Sequence, residues 1–299
     1  MSQAPMRSGA VGGGVARAVA FATLALGTVV MVFPLFWMMA VSMMTPDRAQ
    51  AATVGGNLRE MLRWPWEWEW SNYPAALKQI GSVPWWGFAD ALANSIVVTT
   101  LVVIATVLSS SLVGFAIARM RFPGRGGLFV LMLATMMLPG QVTMIPLFLL
   151  FRNLGWVDTI LPLVVPAFFG NAFFIFMYRQ FIAQVPEALV EAAKVDGWSW
   201  LGIWWHVMLP LCRPVTAICA VFTFIYVWND FMGPLIYLHS DEQATLAVAL
   251  NSFRNQYGGV NKVNLLMAAS LVTMLPCILL FLAAQKQFIE GLGKGAVKG

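Results

Sequence analysis

Long apolar runs recur along this chain, and they decide what it can fold into. The first covers residues 18–44, longer than the ~20 apolar residues that cross a hydrocarbon core. Comparable runs follow at about 93–118, 128–151, 160–182, 215–238 and 265–284. Hydrocarbon offers no partners for backbone N–H and C=O groups, so each segment must satisfy its own as a helix. Composition agrees: 60% of residues are hydrophobic and 10% charged, against roughly a quarter charged in soluble domains. The reading is an all-α integral membrane protein with six transmembrane helices. Residues 1–17 form an N-terminal segment, 18–285 the spanning domain and 286–299 a tail. Arg7 and Arg17 precede the first run as in a secretory signal, but the run is too long and lacks a clear small-residue cleavage site. It is read as an uncleaved first span.

Lysines and arginines orient the spans. With the N-terminus inside, eleven of the 18 fall on the cytoplasmic side. The tight loop Arg119-Met-Arg121-Phe-Pro-Gly-Arg125 is the strongest single vote. Both termini are then cytoplasmic, in the cytoplasmic (inner) membrane. The net charge of +5 reflects these loops rather than nucleic-acid binding. The outer loop, 45–92, carries Trp64-Pro-Trp-Glu-Trp-Glu-Trp70. Such tryptophans suit the headgroup region; a hydrophobic plug on the water side is the alternative. Cys212, Cys219 and Cys277 fit no metal or disulfide spacing, and with His206 and His239 they read as packing or interface residues. No metal site and no catalytic cluster is expected.

Helix breakers fall inside five of the six runs: Pro34, Pro139-Gly140 with Pro146, Pro162 with Pro166, Gly233-Pro234, and Pro276. Each proline frees a carbonyl one turn back. So many breaks favour a bundle that surrounds a cavity or changes shape. Ser110 and Gly114, four apart, offer a face on which another helix can approach closely. Asn229 and Asp230 lie near the middle of the fifth run. A carboxylate there costs ~2.5–3.5 kcal/mol on insertion scales and must be paired or wet. Lining a substrate path and making an interhelical hydrogen bond remain equal readings.

The most informative segment is 183–214. Pro186 and Glu187 suit a first helical turn. Glu187 and Glu191 stack at i, i+4, and Ala192 and Ala193 leave the surface shallow. Asp196-Gly197 ends the helix with a left-handed cap, and Ser199 caps the next. A lipid-surface helix carries basic residues on its polar face. This one carries more acid than base, which fits a groove on another protein.

The triplet Glu191-Ala192-Ala193, then Asp196-Gly197, Ile203 and Leu209-Pro210 resembles the EAA loop of permease subunits in ATP-binding-cassette importers. Met137–Phe148, Leu154-Gly-Trp-Val-Asp-Thr159, Met177-Tyr-Arg-Gln-Phe181, Trp228-Asn-Asp-Phe231 and the tail Gly291–Gly299 resemble the carbohydrate, maltose-type branch. The resemblance departs mainly in the outer loop. It implies a cytoplasmic helix-turn-helix coupling loop formed by Glu187, Glu191, Ala192, Ala193, Asp196, Gly197, Ile203, Leu209 and Pro210. It implies a second permease subunit as a heterodimer partner, two ATPase subunits carrying ATP and Mg, and an extracytoplasmic solute-binding protein. The implied cargo is a sugar or oligosaccharide, with glycerol-phosphate-type solutes as the alternative. The residues add one point of their own: no G-x-x-x-x-G-K-[ST] motif occurs, so this chain cannot hold ATP by that motif. An ATPase-independent carrier or channel would be expected to carry more buried ionisable groups or an internal repeat. An intramembrane enzyme would need a nucleophile–base or metal constellation.

Overall fold

The computed structural model describes residues 10–53, 68–79, 87–256 and 262–296; side chains at 10–13, 15, 255, 256 and 286–296 are not part of that description. Arg7, Arg59, Arg63, the tryptophan-rich run through Glu67 and residues 297–299 lie outside the described residues. Among those described, regular structure is helical throughout: α1 (Ala10–Ser42), α2 (Pro46–Thr53), α3 (Asn72–Gln79), α4 (Gly87–Arg119), α5 (Arg125–Thr135), α6 (Gly140–Asn153), α7 (Leu161–Val164) running into a 3-10 turn, α8 (Ala172–Ala183), α9 (Glu187–Val195), α10 (Trp200–Ile203), a π turn, α11 (Leu209–Leu211), α12 (Arg213–Trp228), α13 (Met232–Tyr237), α14 (Leu246–Gln256) and α15 (Val263–Ala296).

Among the described residues, four helical stretches are long and apolar enough to cross a bilayer: Ala16–Ser42, Gly87–Arg119, Leu161–Ala183 and Val263–Gln285. Two bent pairs raise the number to six. α5 and α6 meet at 100°, and Trp200–Leu211 meets α12 at 82°. The third run is therefore a broken span or a re-entrant loop rather than a single rod. Its corner is Met136–Pro139, closed by short i→i−3 bonds, with Pro139 as the N-cap of α6.

The breakers did not act uniformly. Pro34 and Pro276 stay inside α1 and α15. In the fifth run the helix stops at Trp228, before Gly233-Pro234. Pro234 then sits in the first turn of α13, where its missing N–H would have had no intrahelical partner in any case.

The chain divides into two compact units. In the first, residues 1–76 with 257–272, the turn after α1 is closed by the buried Asn72. Its amide donates to the carbonyls of Ser42 and Met44, both at 2.9 Å, and its Oδ1 accepts from Asn264 at 3.0 Å. Ala40, Val41, Met44, Ala49 and Ala52 pack beside it.

In the second unit, residues 77–256 with 273–299, α4 is the central rod, with α8 and α12 against it. Gly114 makes this packing possible: a β-carbon there would lie 2.6 Å from the Tyr178 Cβ. Ser110 accepts from the Asn171 N–H at 3.1 Å on the same face. Tyr178 is fully buried and donates to the Thr216 hydroxyl at 2.9 Å. At the far end of α4, the Arg119 guanidinium donates to the carbonyls of Ile182, in the last turn of α8, and of Val185, in the link to α9.

Candidate functional site

The segment 187–211 is a helix, a turn and a second helix. Pro186 is the N-cap of α9 rather than a residue of its first turn; it is extended at φ −56°, ψ 134°, and its missing N–H leaves nothing unsatisfied. α9 ends as glycine dictates. Gly197 has φ +83°, and the N–H groups of Gly197 and Trp198 bond back to Lys194 and Ala193, each at 3.0 Å. Ser199 accepts from the Gly202 N–H at 3.2 Å and caps α10. The Lys194 ammonium lies 4.1 Å over the Trp200 ring, bridging the two helices.

This segment has an inside and an outside. Val190, Ala193, Ile203 and Met208 are buried in one core with Tyr178, Ile182 and Phe115. Glu187, Glu191, Ala192, Asp196, Gly197 and Pro210 are exposed, and Leu209 is half-buried. At the tip, Val195 is 88% exposed. The spacing that suggested one docking face thus mixes two kinds of residue: Ile203 and Ala193 hold the segment to the body, and the rest present outward.

Asn229 and Asp230 occupy the break between α12 and α13. Asn229 is exposed and its amide donates to the Ile225 carbonyl at 2.8 Å. Asp230 accepts from the Gly233 N–H at 3.2 Å, closing the turn into α13. Gly233 leaves space for that carboxylate, since a β-carbon there would stand 2.5 Å from Asp230 Oδ2.

Asp230 also lines a cavity of about 570 Å³, most of whose walls the sequence reading did not name. One wall is the Ser95, Thr99, Val102 and Thr106 face of α4; Pro166, Ala167 and Gly170 form another; Phe222, Thr223, Tyr226 and Asp230 a third. The small polar residues of α4, recurring four and seven apart, were the available signal. Asp230 joins the cavity and Asn229 is not among its lining residues, so the two neighbours differ in surroundings.

A second feature, Asp158, was visible only as part of a resemblance motif. It is the one described non-glycine residue with positive φ, +63°. Its Oδ1 accepts from the His239 N–H at 2.9 Å, the Ser240 N–H at 2.9 Å and the Ser240 hydroxyl at 2.8 Å, while its own N–H donates to Tyr237 at 2.7 Å. The Ser240 and His239 N–H bonds hold its carboxyl below the usual range. Phe151 stacks on Trp156 and meets Tyr237 edge-on, so the loops after α6 and α13 are clasped together.

Residues 110–293 match the family model described as "Binding-protein-dependent transport system inner membrane component". The chain is 36% identical, over 72% of its length and 74% of the relative's, to the arabinooligosaccharides transport system permease protein AraQ of Halalkalibacterium halodurans. It is 32% identical to the melibiose/raffinose/stachyose import permease protein MelC of Bacillus subtilis, over 70% and 76% of the two chains. The sn-glycerol-3-phosphate transport system permease protein UgpE of Yersinia enterocolitica is also 32% identical, over 69% and 73%. Among solved structures, a chain of a bacterial transporter involved in import of the acidic polysaccharide alginate shares the fold, with a TM-score of 0.77, 22% identity and coverage of 94% and 99%.

Proposed function

This chain belongs to the family of inner-membrane components of binding-protein-dependent transport systems, and on that premise we propose that it is one of two permease subunits of an ATP-driven sugar or oligosaccharide importer. It pairs with a second, different permease. Two ATPase subunits carry ATP and Mg. A solute-binding protein delivers cargo from outside, and both termini of this chain face the cytoplasm. The segment 183–214 is the coupling element: ATPase closure moves its exposed tip, and the buried side passes that motion to α8 and α4. The carrying observation is the split of this segment into an exposed tip and a side packed on the spans. Asp230 and the cavity beside it belong to the solute path. The relatives named for oligosaccharides support the cargo class. The glycerol-phosphate relative keeps such solutes as the second reading.

The test is Glu191→Lys and Gly197→Asp in the assembled importer, scored for uptake, ATPase rate and recovery of the complex from membranes. Inserted protein with weakened ATPase association, or ATP hydrolysis without uptake, is expected. Normal values in all three measurements would sink the coupling role.

A further inference from the structure

The cavity beside Asp230 has one formal charge among the described residues of its walls. Among the described residues no lysine, arginine or histidine lines it, and Asp230 is the single carboxylate. The carboxylate is held in place: Oδ1 takes the Gly233 N–H, and glycine at 233 leaves Oδ2 unobstructed. The rest of the lining is neutral. Tyr226, Phe222 and Phe173, all substantially exposed, offer flat apolar faces. Thr223 and Thr245 are buried hydroxyl residues, and the Thr245 Oγ1 makes no hydrogen bond; a χ1 rotation offers it to a guest.

We propose that Asp230 makes this cavity an anion-excluding compartment, a specificity element that accepts uncharged, hydroxyl-rich solutes and turns away phosphorylated or uronate solutes. A neutral sugar donates charge-assisted hydrogen bonds to the carboxylate from its hydroxyls and lays its C–H face on the aromatic rings. An anion entering the same space meets a like charge in a poorly solvated wall, with no cation to offset its lost hydration. The cavity volume lies within the range of small-molecule sites. The inference rests on the reading of the cavity as part of the solute path. The similar proteins named for glycerol phosphate and alginate have anionic cargoes, and the inference assigns this chain a cargo of the other kind.

The experiment uses the whole importer in proteoliposomes with Ala167→Cys on the cavity wall. Two methanethiosulfonates with the same reactive group, one trimethylammonium and one sulfonate, report its rate of modification. Each rate is normalised to 2-mercaptoethanol in solution and corrected for the parent protein without the added cysteine. The cationic reagent should react about tenfold faster than the anionic one, and Asp230→Asn, which keeps the Oδ1 acceptor, should bring the ratio near unity. Equal normalised rates in the wild-type background would overturn the proposal, a result that needs no Asp230 variant to assemble. A preference that survives Asp230→Asn in recovered complex would overturn it as well. Protection of Ala167→Cys by raffinose but not by sn-glycerol-3-phosphate supports the selectivity. Charge preference that follows Asp230, without any effect of either solute or any change in uptake, removes the cavity from the solute path while leaving its charge character established.

Discussion

Gly114→Ala adds one methyl group and should cost far more than a surface change of that size. The new β-carbon would fall 2.6 Å from the Tyr178 Cβ, 3.1 Å from the Ile175 carbonyl oxygen and 3.2 Å from the Arg179 nitrogen. None of these is the end of a flexible side chain, so no rotamer change relieves the overlap. The helices must separate by about 1 Å to restore ordinary van der Waals contact. That carries the Ser110–Asn171 bond from 3.1 Å beyond hydrogen-bond range. Overpacking costs about 1–3 kcal/mol and the lost bond about 1 more, so roughly 2–4 kcal/mol in all. For a chain of this size that is an apparent Tm lower by about 3–8 °C, measured by thermal unfolding of purified complex in detergent. Tyr178→Ala retains the offending β-carbon and should not rescue Gly114→Ala. Tyr178→Gly removes it and should recover part of the loss. A Tm unchanged by Gly114→Ala, or full rescue by Tyr178→Ala, would refute the close backbone approach.

At Gly197 no atom stands within 4 Å of an added β-carbon, so the cost of substitution lies in the φ of +83° alone. Gly197→Asn should be tolerated and Gly197→Val should lower uptake and complex recovery; equal behaviour of the two would contradict the left-handed cap. For Asp158, folding lowers the carboxyl pKa, so its stabilisation is fully present above the ordinary value of about 3.9 and fades as pH falls through the lowered one. Asp158→Ala should therefore lower the apparent Tm near neutral pH and flatten its acid dependence, and Asp158→Asn, which tolerates positive φ and keeps an acceptor, should retain most of the neutral-pH Tm. Impermeant thiol reagents applied to intact cells should label cysteines at Lys78 or Glu242 and spare one at Arg121; labelling at Arg121 would reverse the orientation.

The helix-turn-helix was legible because its punctuation is local. Asp-Gly and Ser199 act within a few residues of themselves, and the structure uses them as caps. Which side of that segment faces the body was less so: Ile203 belongs to the same motif spacing as Asp196, and only the packing of Val190 and Ala193 against Tyr178 and Ile182 tells them apart. Prolines marked where carbonyls lose their partners, but a freed carbonyl does not set a bend. Pro139 stands at a corner of 100° while Pro34 and Pro276 lie within continuous helices. The cavity and the Asp158 clasp join residues far apart in the chain. Thr99 and Asp230, or Asp158 and Ser240, carry no mark of one another in sequence.

The donation of Arg119 to the carbonyls of Ile182 and Val185 has a mechanical meaning. The Ile182 carbonyl lies in the last turn of α8 and the Val185 carbonyl in the link to α9, so one guanidinium stiffens that connection. With Val190, Ala193 and Ile203 embedded beside them, a displacement at Val195 finds no compliant hinge in which to be absorbed. It arrives at α4 with little slack, and because Gly114 brings α4 and α8 to near backbone contact, the pair yields as one beam. Under the proposed coupling role that low compliance matters: a soft joint at Arg119 would let ATP be spent without moving the spans.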